Sequence, residues 1–152
     1  MRVISDAVEY GLRAVVWLAD HPGEPQKVRE MAAGTRCSTG YLAKVMQRLG
    51  GAGIVSAQRG LHGGFTLERD PATLTILEVV EAVDPIQRIT TCPLDIKSHG
   101  TRLCPLHRRI DNAIAYIEQS FRKTTIQELL DEPAESRPLC DVPVTVGGER
   151  KT

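Results

Sequence analysis

Two short runs of strand-forming residues, Ile54 to Gln58 and Phe65 to Glu68, are separated by Arg59-Gly60-Leu61-His62-Gly63-Gly64, and this segment constrains the fold more than any other. Its glycines permit the positive φ angles and close backbone approach of a hairpin tip, so a small β-hairpin is expected. What precedes it decides the kind of hairpin. From Asp6 to Leu18, apolar Val8, Leu12, Val15, Val16 and Leu18 recur at mostly helical spacing, and His21-Pro22-Gly23 supplies the stop. Val28, Met31 and Ala32 mark a short second helix ending near Gly34, followed by a tight turn through Thr35, Arg36 and Cys37. Ser38 is a good N-cap for a third helix, with Tyr41, Leu42, Val45, Met46 and Leu49 as its buried stripe and Gly50, Gly51 and Gly53 closing it. A hairpin directly after a helix-turn-helix is a wing.

Beyond the hairpin, Pro71 permits a new start, and Leu74 to Val83 reads as a helix with Ile76, Leu77, Val79, Val80 and Val83 apolar. Asp84 to Leu103 is irregular and poor in apolar residues, and a loop of that length is usually functional or disordered. Leu106, Ile110, Ala113, Ile114, Ile117 and Phe121 then line one face of a helix of about four turns. A stripe that follows a finished small domain needs a cover, and a second copy of the chain is the simplest. Thr125 to Leu130 makes a last short helix, and from Glu132 the composition is that of a loose tail. The expected class is mostly α with a small β wing. No apolar run approaches the roughly 20 residues that span a bilayer, and no signal-peptide succession opens the chain, so a cytoplasmic protein is expected.

Net charge is zero, which taken alone argues against a nucleic-acid partner. The distribution restores it. Between Lys27 and Gly64 the basic residues are Lys27, Arg29, Arg36, Lys44, Arg48 and Arg59, against a single acid, Glu30. Local basicity on a helix-turn-helix with a glycine-rich, arginine-bearing hairpin points to double-stranded operator DNA. The third helix can enter the major groove, where Ser38, Thr39, Lys44 and Gln47 are free to reach bases or phosphates. Arg59 suits a narrow minor groove. Arg2, Lys27, Tyr41, Arg48 and His62 complete the candidate DNA face. No general-base motif, phosphate loop or nucleophile elbow is present, so an enzyme is not expected.

Cys37, Cys92, Cys104 and Cys140 would sit in a reducing compartment, where structural disulfides are rare. Cys92, Cys104 and His107 form C-x11-C-x2-H, and two thiolates with an imidazole suit zinc or an iron-sulfur cluster. Two ordinary thiols and a helix N-terminal histidine remain the alternative. Cys37 lies beside the N-terminus of the third helix, where the dipole could activate it or packing alone could explain it.

Met1-Arg2-Val3, Gly40-Tyr41-Leu42-Ala43-Lys44, Gly53-Ile54-Val55, the segment Arg59 to Phe65, and Leu77-Glu78-Val79-Val80-Glu81-Ala82-Val83-Asp84 resemble the Rrf-two family of bacterial regulators, the IscR, NsrR and RsrR types. The resemblance runs from Met1 to about Leu130. It implies a dimeric winged-helix repressor or dual regulator with a long dimerisation helix. Cluster-binding members carry cysteines in this same loop. Cys92 and Cys104 match the outer cysteines, and His107 matches a histidine ligand of the IscR type. Ser98 stands where the middle cysteine normally is. The resemblance therefore implies a [2Fe-2S] centre completed by nitrogen or oxygen ligands. Glu9 falls in the segment from which related proteins supply a carboxylate to the partner's cluster, and Arg13 where the RsrR type has a histidine. His99 is a substitute ligand within the loop. The cluster-free alternative is a relative that senses a metabolite or uses Cys92 and Cys104 as a thiol switch. The expected organisation is a DNA-binding domain over 1–84, a sensor loop over 85–104, dimerisation and final helices over 105–131, and a tail over 132–152.

Overall fold

The computed structural model describes residues 3–99, 102–136 and 138–139. Its elements run α1 (Asp6–Ala19), α2 (Val28–Thr35), α3 (Thr39–Gly51), β1 (Val55–Gln58), β2 (Gly64–Leu67), α4 (Ile76–Val83), a 3-10 turn (Lys97–His99), α5 (Pro105–Lys123) and α6 (Ile126–Asp131). Arg2, Cys140 and most of the expected tail lie outside the described residues. No described helix is long and apolar enough to cross a membrane.

α1 starts where Ser5 caps it, its hydroxyl accepting the Val8 amide at 3.3 Å. The helix buries Ala7, Val8, Gly11, Ala14, Val15, Val16 and Leu18 and packs on α2, α3 and α4. Small residues let α4 come close: a Cβ on Gly11 would stand 2.9 Å from Cγ2 of Val83. α2 ends as Arg36 turns into the left-handed region at φ 55, and the Cys37 amide donates back to the Ala32 carbonyl at 2.9 Å. Ser38 then caps α3 by accepting the Tyr41 amide at 3.3 Å. Leu42, Val45, Met46 and Leu49 are its buried stripe. Tyr41, counted with them from spacing, is instead 40% exposed and meets the Tyr10 ring edge-on at 5.2 Å.

β1 and β2 pair antiparallel from Val55 with Leu67 to Gln58 with Gly64. A third segment holds them. The Gln26 amide donates to the Phe65 carbonyl at 2.9 Å and the Phe65 amide to the Gln26 carbonyl at 2.7 Å. The Trp17 indole donates to the Gln26 side-chain oxygen at 3.0 Å, so α1 secures the residue that secures the wing.

α4 begins later than the apolar run suggests, because Thr75 and Glu78 form a reciprocal capping box that leaves buried Leu74 outside the helix. α5 has 19 residues, about one turn longer than expected, and none of them is buried. Its end is fastened to the core. The Ile76 amide donates to the Thr124 carbonyl at 3.0 Å and the Ile126 amide to the Leu74 carbonyl at 2.9 Å, and Ile126 is fully buried. α6, through Ile126, Leu129 and Leu130, thus shares the core begun by α1, and α5 is tied to it at its C-terminal end.

Gly64 sits at φ 155, and a Cβ there would approach the Gln26 backbone to 2.7 Å. Gly64→Ala is expected to lower stability by about 2 kcal/mol or more. Urea unfolding checks this, with wing amide exchange rising more than exchange in α1.

Candidate nucleic-acid interface and thiol loop

The turn between α2 and α3 sets which side chains face outward. With Leu42, Val45, Met46 and Leu49 buried, helical spacing leaves Gly40, Lys44, Gln47 and Gly51 exposed on the opposite side of α3. Thr39 is exposed at the N-terminal end. Ser38 spends one acceptor lone pair on its cap and keeps its hydroxyl proton for an external acceptor. Lys27 is exposed at the N-cap of α2, and Arg59 and His62 are exposed between the two wing strands. Arg48 differs from its neighbours. Its guanidinium donates to the Val83 carbonyl at 2.9 Å, which ties the end of α3 to the end of α4.

Behind this face, Arg13 donates to Glu9 at 3.0 Å and to the Thr35 carbonyl at 3.3 Å, with the Cys37 thiol beside it. α1 is thereby joined to the helix-turn-helix bend. The sequence reading passed over Arg13 as a structural residue and Gln26 altogether. Helical spacing of Glu9 and Arg13 signalled an i,i+4 pair, but nothing local announced Gln26.

In the loop, Cys92 is buried and its carbonyl accepts the Asp95 amide at 3.0 Å. Cys104 is the N-cap of α5, with Pro105 at the first helical position. That places Cys104 and His107 on one face of the first turn, with Sγ and Nδ1 3.4 Å apart. Cys37, Cys92 and Cys104 are free thiols. The Nδ1 atom of His99 is buried without a hydrogen-bond partner, whereas Ser98 is exposed. Glu9 is half-exposed and held by Arg13. Among the described residues no three His, Cys, Asp or Glu side chains gather at metal-binding distance. The structure thus brings Cys104 to His107 but does not assemble Cys92, Cys104, His107 and Glu9. The donor types, two thiols and an imidazole plus an orphaned imidazole nitrogen, suit a soft metal centre.

The start of the loop is fixed to α5 by charge. Arg88 makes a two-pronged pair with Asp111, both contacts 2.7 Å, and reaches Glu118 at 3.3 Å. The Ile89 amide donates to Asp111 at 2.9 Å. Hydrogen bonds from Arg88, reinforced by the Ile89 amide, pull the Asp111 carboxyl down to about 2. A carboxyl depressed in the folded state adds stability above its ordinary value of 3.8 and loses it as pH falls toward 2. The loop should therefore stay fastened throughout the neutral and mildly acidic range. A carbon-detected titration of the Asp111 carboxyl is expected to show its midpoint near 2, and in Arg88→Ala the midpoint should return toward 3.8.

Comparison with known proteins gives this arrangement a lineage. The Rrf2 family, described as an iron-dependent transcriptional regulator, matches residues 4–132. A protein of Aquifex aeolicus (strain VF5) described as an HTH-type transcriptional regulator is 30% identical over 132 residues, covering 85% of this chain and 92% of that protein. Among solved structures, CymR (YrzC), the global cysteine regulator of B. subtilis, superposes with a TM-score of 0.69 at 24% identity over 85% of this chain and 96% of its own. T. potens IscR does so with a TM-score of 0.70 at 23% identity, over 85% and 86%. At that identity the two structures establish a shared winged-helix fold. With a family match spanning nearly all the described residues, this chain belongs to the Rrf2 (Rrf-two) family of winged-helix transcriptional regulators.

Proposed function

We propose that the protein is a cytoplasmic repressor, not an enzyme, that binds a roughly palindromic operator as a homodimer and releases or engages it according to the state of a [2Fe-2S] centre in the loop over 85–104. The signal class is redox state, nitric oxide or iron-sulfur status. The observation that carries the sensor half is the 3.4 Å approach of Cys104 and His107 at the head of α5. The family's description as iron-dependent supports the same reading.

For the DNA half, the exposed face of α3 supplies Ser38, Thr39, Lys44 and Gln47 to a major groove, and the wing supplies Arg59 and His62 to the flanking minor groove. Lys27 and Tyr41 extend that face. Arg48 acts there through its hold on Val83. Replacing Lys44 or Arg59 by Ala is expected to weaken operator binding about ten-fold each at moderate salt, and Arg59→Ala should also relax a preference for narrow A·T-rich flanks. Fluorescence anisotropy across a salt series measures both, and unchanged affinity in the two variants would dismiss this face.

For the dimer, α5 carries Ile110, Ile114, Ile117 and Phe121 with no buried residue. A groove of about 320 Å³ runs beside it, lined by Val3, Ile4, Val8, Ile86, Ile114 and Ile117. A second copy would cover both and bring its own Glu9 close to the loop of the first.

Cys92, Cys104 and His107 would hold the cluster, with Glu9 of the second copy as fourth ligand and His99 as the substitute from within the loop. Bound there, a cluster would supply one-electron redox and nitric oxide chemistry, and mixed ligation would raise its potential above that of an all-cysteine centre. The protein's own part is transmission. Arg88 and Asp111 couple the loop to α5, and Arg13 links Glu9 to the helix-turn-helix bend, so a change in the loop reaches both the dimer helix and the DNA face.

A cluster-free thiol switch at Cys92 and Cys104 is the second reading, favoured by the free state of both thiols and the dispersed donors. Anaerobic reconstitution of wild type, Cys92→Ala, His107→Ala and Glu9→Ala separates the two. Iron and sulfide in wild type, less in each variant, and a dimeric mass by sedimentation are expected. A wild type that takes up no iron gives way to the thiol switch.

A further inference from the structure

Leu61 is the most exposed large apolar side chain among the described residues, 81% accessible. Leu94, Ile96, Leu106, Ile110 and Tyr116, also exposed, belong to the loop and α5. Leu61 stands apart from them at the tip of the wing. A single exposed leucine is ordinary on a protein surface, and its setting is what distinguishes this one.

Its neighbours give it no cover. Gly60 takes φ 109, and a Cβ built there meets nothing within 4 Å. The Gly63 amide donates to the Gly60 carbonyl at 3.0 Å, and a Cβ on Gly63 would collide with the Gln58 carbonyl oxygen at 2.2 Å. The tip is therefore a tight turn of bare backbone from which Leu61 projects. Arg59 and His62, both exposed, flank it with groups that can meet phosphates or the groove edge. The tip end of β2 is clamped by the reciprocal backbone hydrogen bonds between Phe65 and Gln26. An apolar group presented on a tip held this way loses little freedom when it is buried.

We propose that Leu61 enters the minor groove of the operator as an apolar wedge, packing on deoxyribose faces and partly opening one base step beside the place where Arg59 sits. Minor-groove hydrogen-bond patterns barely distinguish A·T from T·A. A wedge reads something else, the ease with which a step unstacks, and pyrimidine–purine steps unstack most readily. Leu61 thus adds preference for a flexible step at a position that no hydrogen bond reads. The proposal rests on the wing as a DNA-contacting element.

The test uses the full-length wild-type protein to select duplexes from a random pool, and the selected duplex is then resynthesised with 2-aminopurine at successive positions across each flank. Wild type is expected to raise fluorescence at one flexible step per half-site. Leu61→Ala should lose most of that rise and bind about ten-fold more weakly, with the same salt slope and the same thermal unfolding midpoint. Leu61→Met should keep both signals. Wild-type affinity and fluorescence in Leu61→Ala would overturn the wedge, as would a flat wild-type fluorescence profile at every position. A reduced affinity accompanied by a changed salt slope would also overturn it, because that pattern belongs to lost phosphate contacts. If wild type selects no duplex at all, the DNA-contacting wing falls and the wedge with it.

Discussion

The reciprocal pair of backbone hydrogen bonds between Gln26 and Phe65 is the constraint on which the placement of the wing depends. A two-stranded hairpin is marginal by itself in water. Here it borrows a third rung from the residues leading into α2, and the absence of a side chain at Gly64 is what allows the approach. Because Trp17 holds Gln26 from α1, wing and recognition helix are referenced to the same buried helix. If α3 and the wing make the two kinds of groove contact proposed above, this common reference would hold them at a fixed offset.

A second layer of organisation lies between the DNA face and the loop. Three arginines act as joints: Arg13 from α1 to the turn after α2, Arg48 from α3 to the end of α4, and Arg88 from the loop to α5. Two of them donate to backbone carbonyls near the C-terminal ends of helices, where acceptors are left over and the dipole favours a cation. Guanidinium serves better than ammonium in this role because its planar fork bonds two groups at once.

The helices were legible where local chemistry fixed them. Ser38 was a recognisable cap and α3 begins after it, α1 begins at Asp6 as its apolar spacing predicts, and Thr125, read as the first residue of the last helix, is instead its N-cap. Leu74 misled, because an apolar run does not reveal that Thr75 and Glu78 form a box one residue later. Tyr41 misled for a related reason: its spacing fits the buried stripe, but the large ring is accommodated at the edge against Tyr10. Of the candidate ligands, the pairing of Cys104 with His107 followed from a three-residue interval at a helix start. The remaining connections were beyond sequence reasoning. Arg88 and Asp111 are separated by 23 residues and Arg48 and Val83 by 35, and nothing in either neighbourhood marks its counterpart.

The attachment of α5 is unequal at its two ends. Its C-terminal end runs straight into backbone hydrogen bonds with Leu74 and Ile76 and into a buried Ile126, whereas its first turn has no side-chain cap and the loop grips the helix through the surface charge pair at Asp111. A rod held more firmly at one end tilts about that end more readily than it slides. With 19 residues the rod is about 28 Å long, so a tilt of roughly 10° about the fixed end carries the tip through about 5 Å. Cys104 and His107 sit at that tip, where a small change in bonding gains the full leverage of the helix.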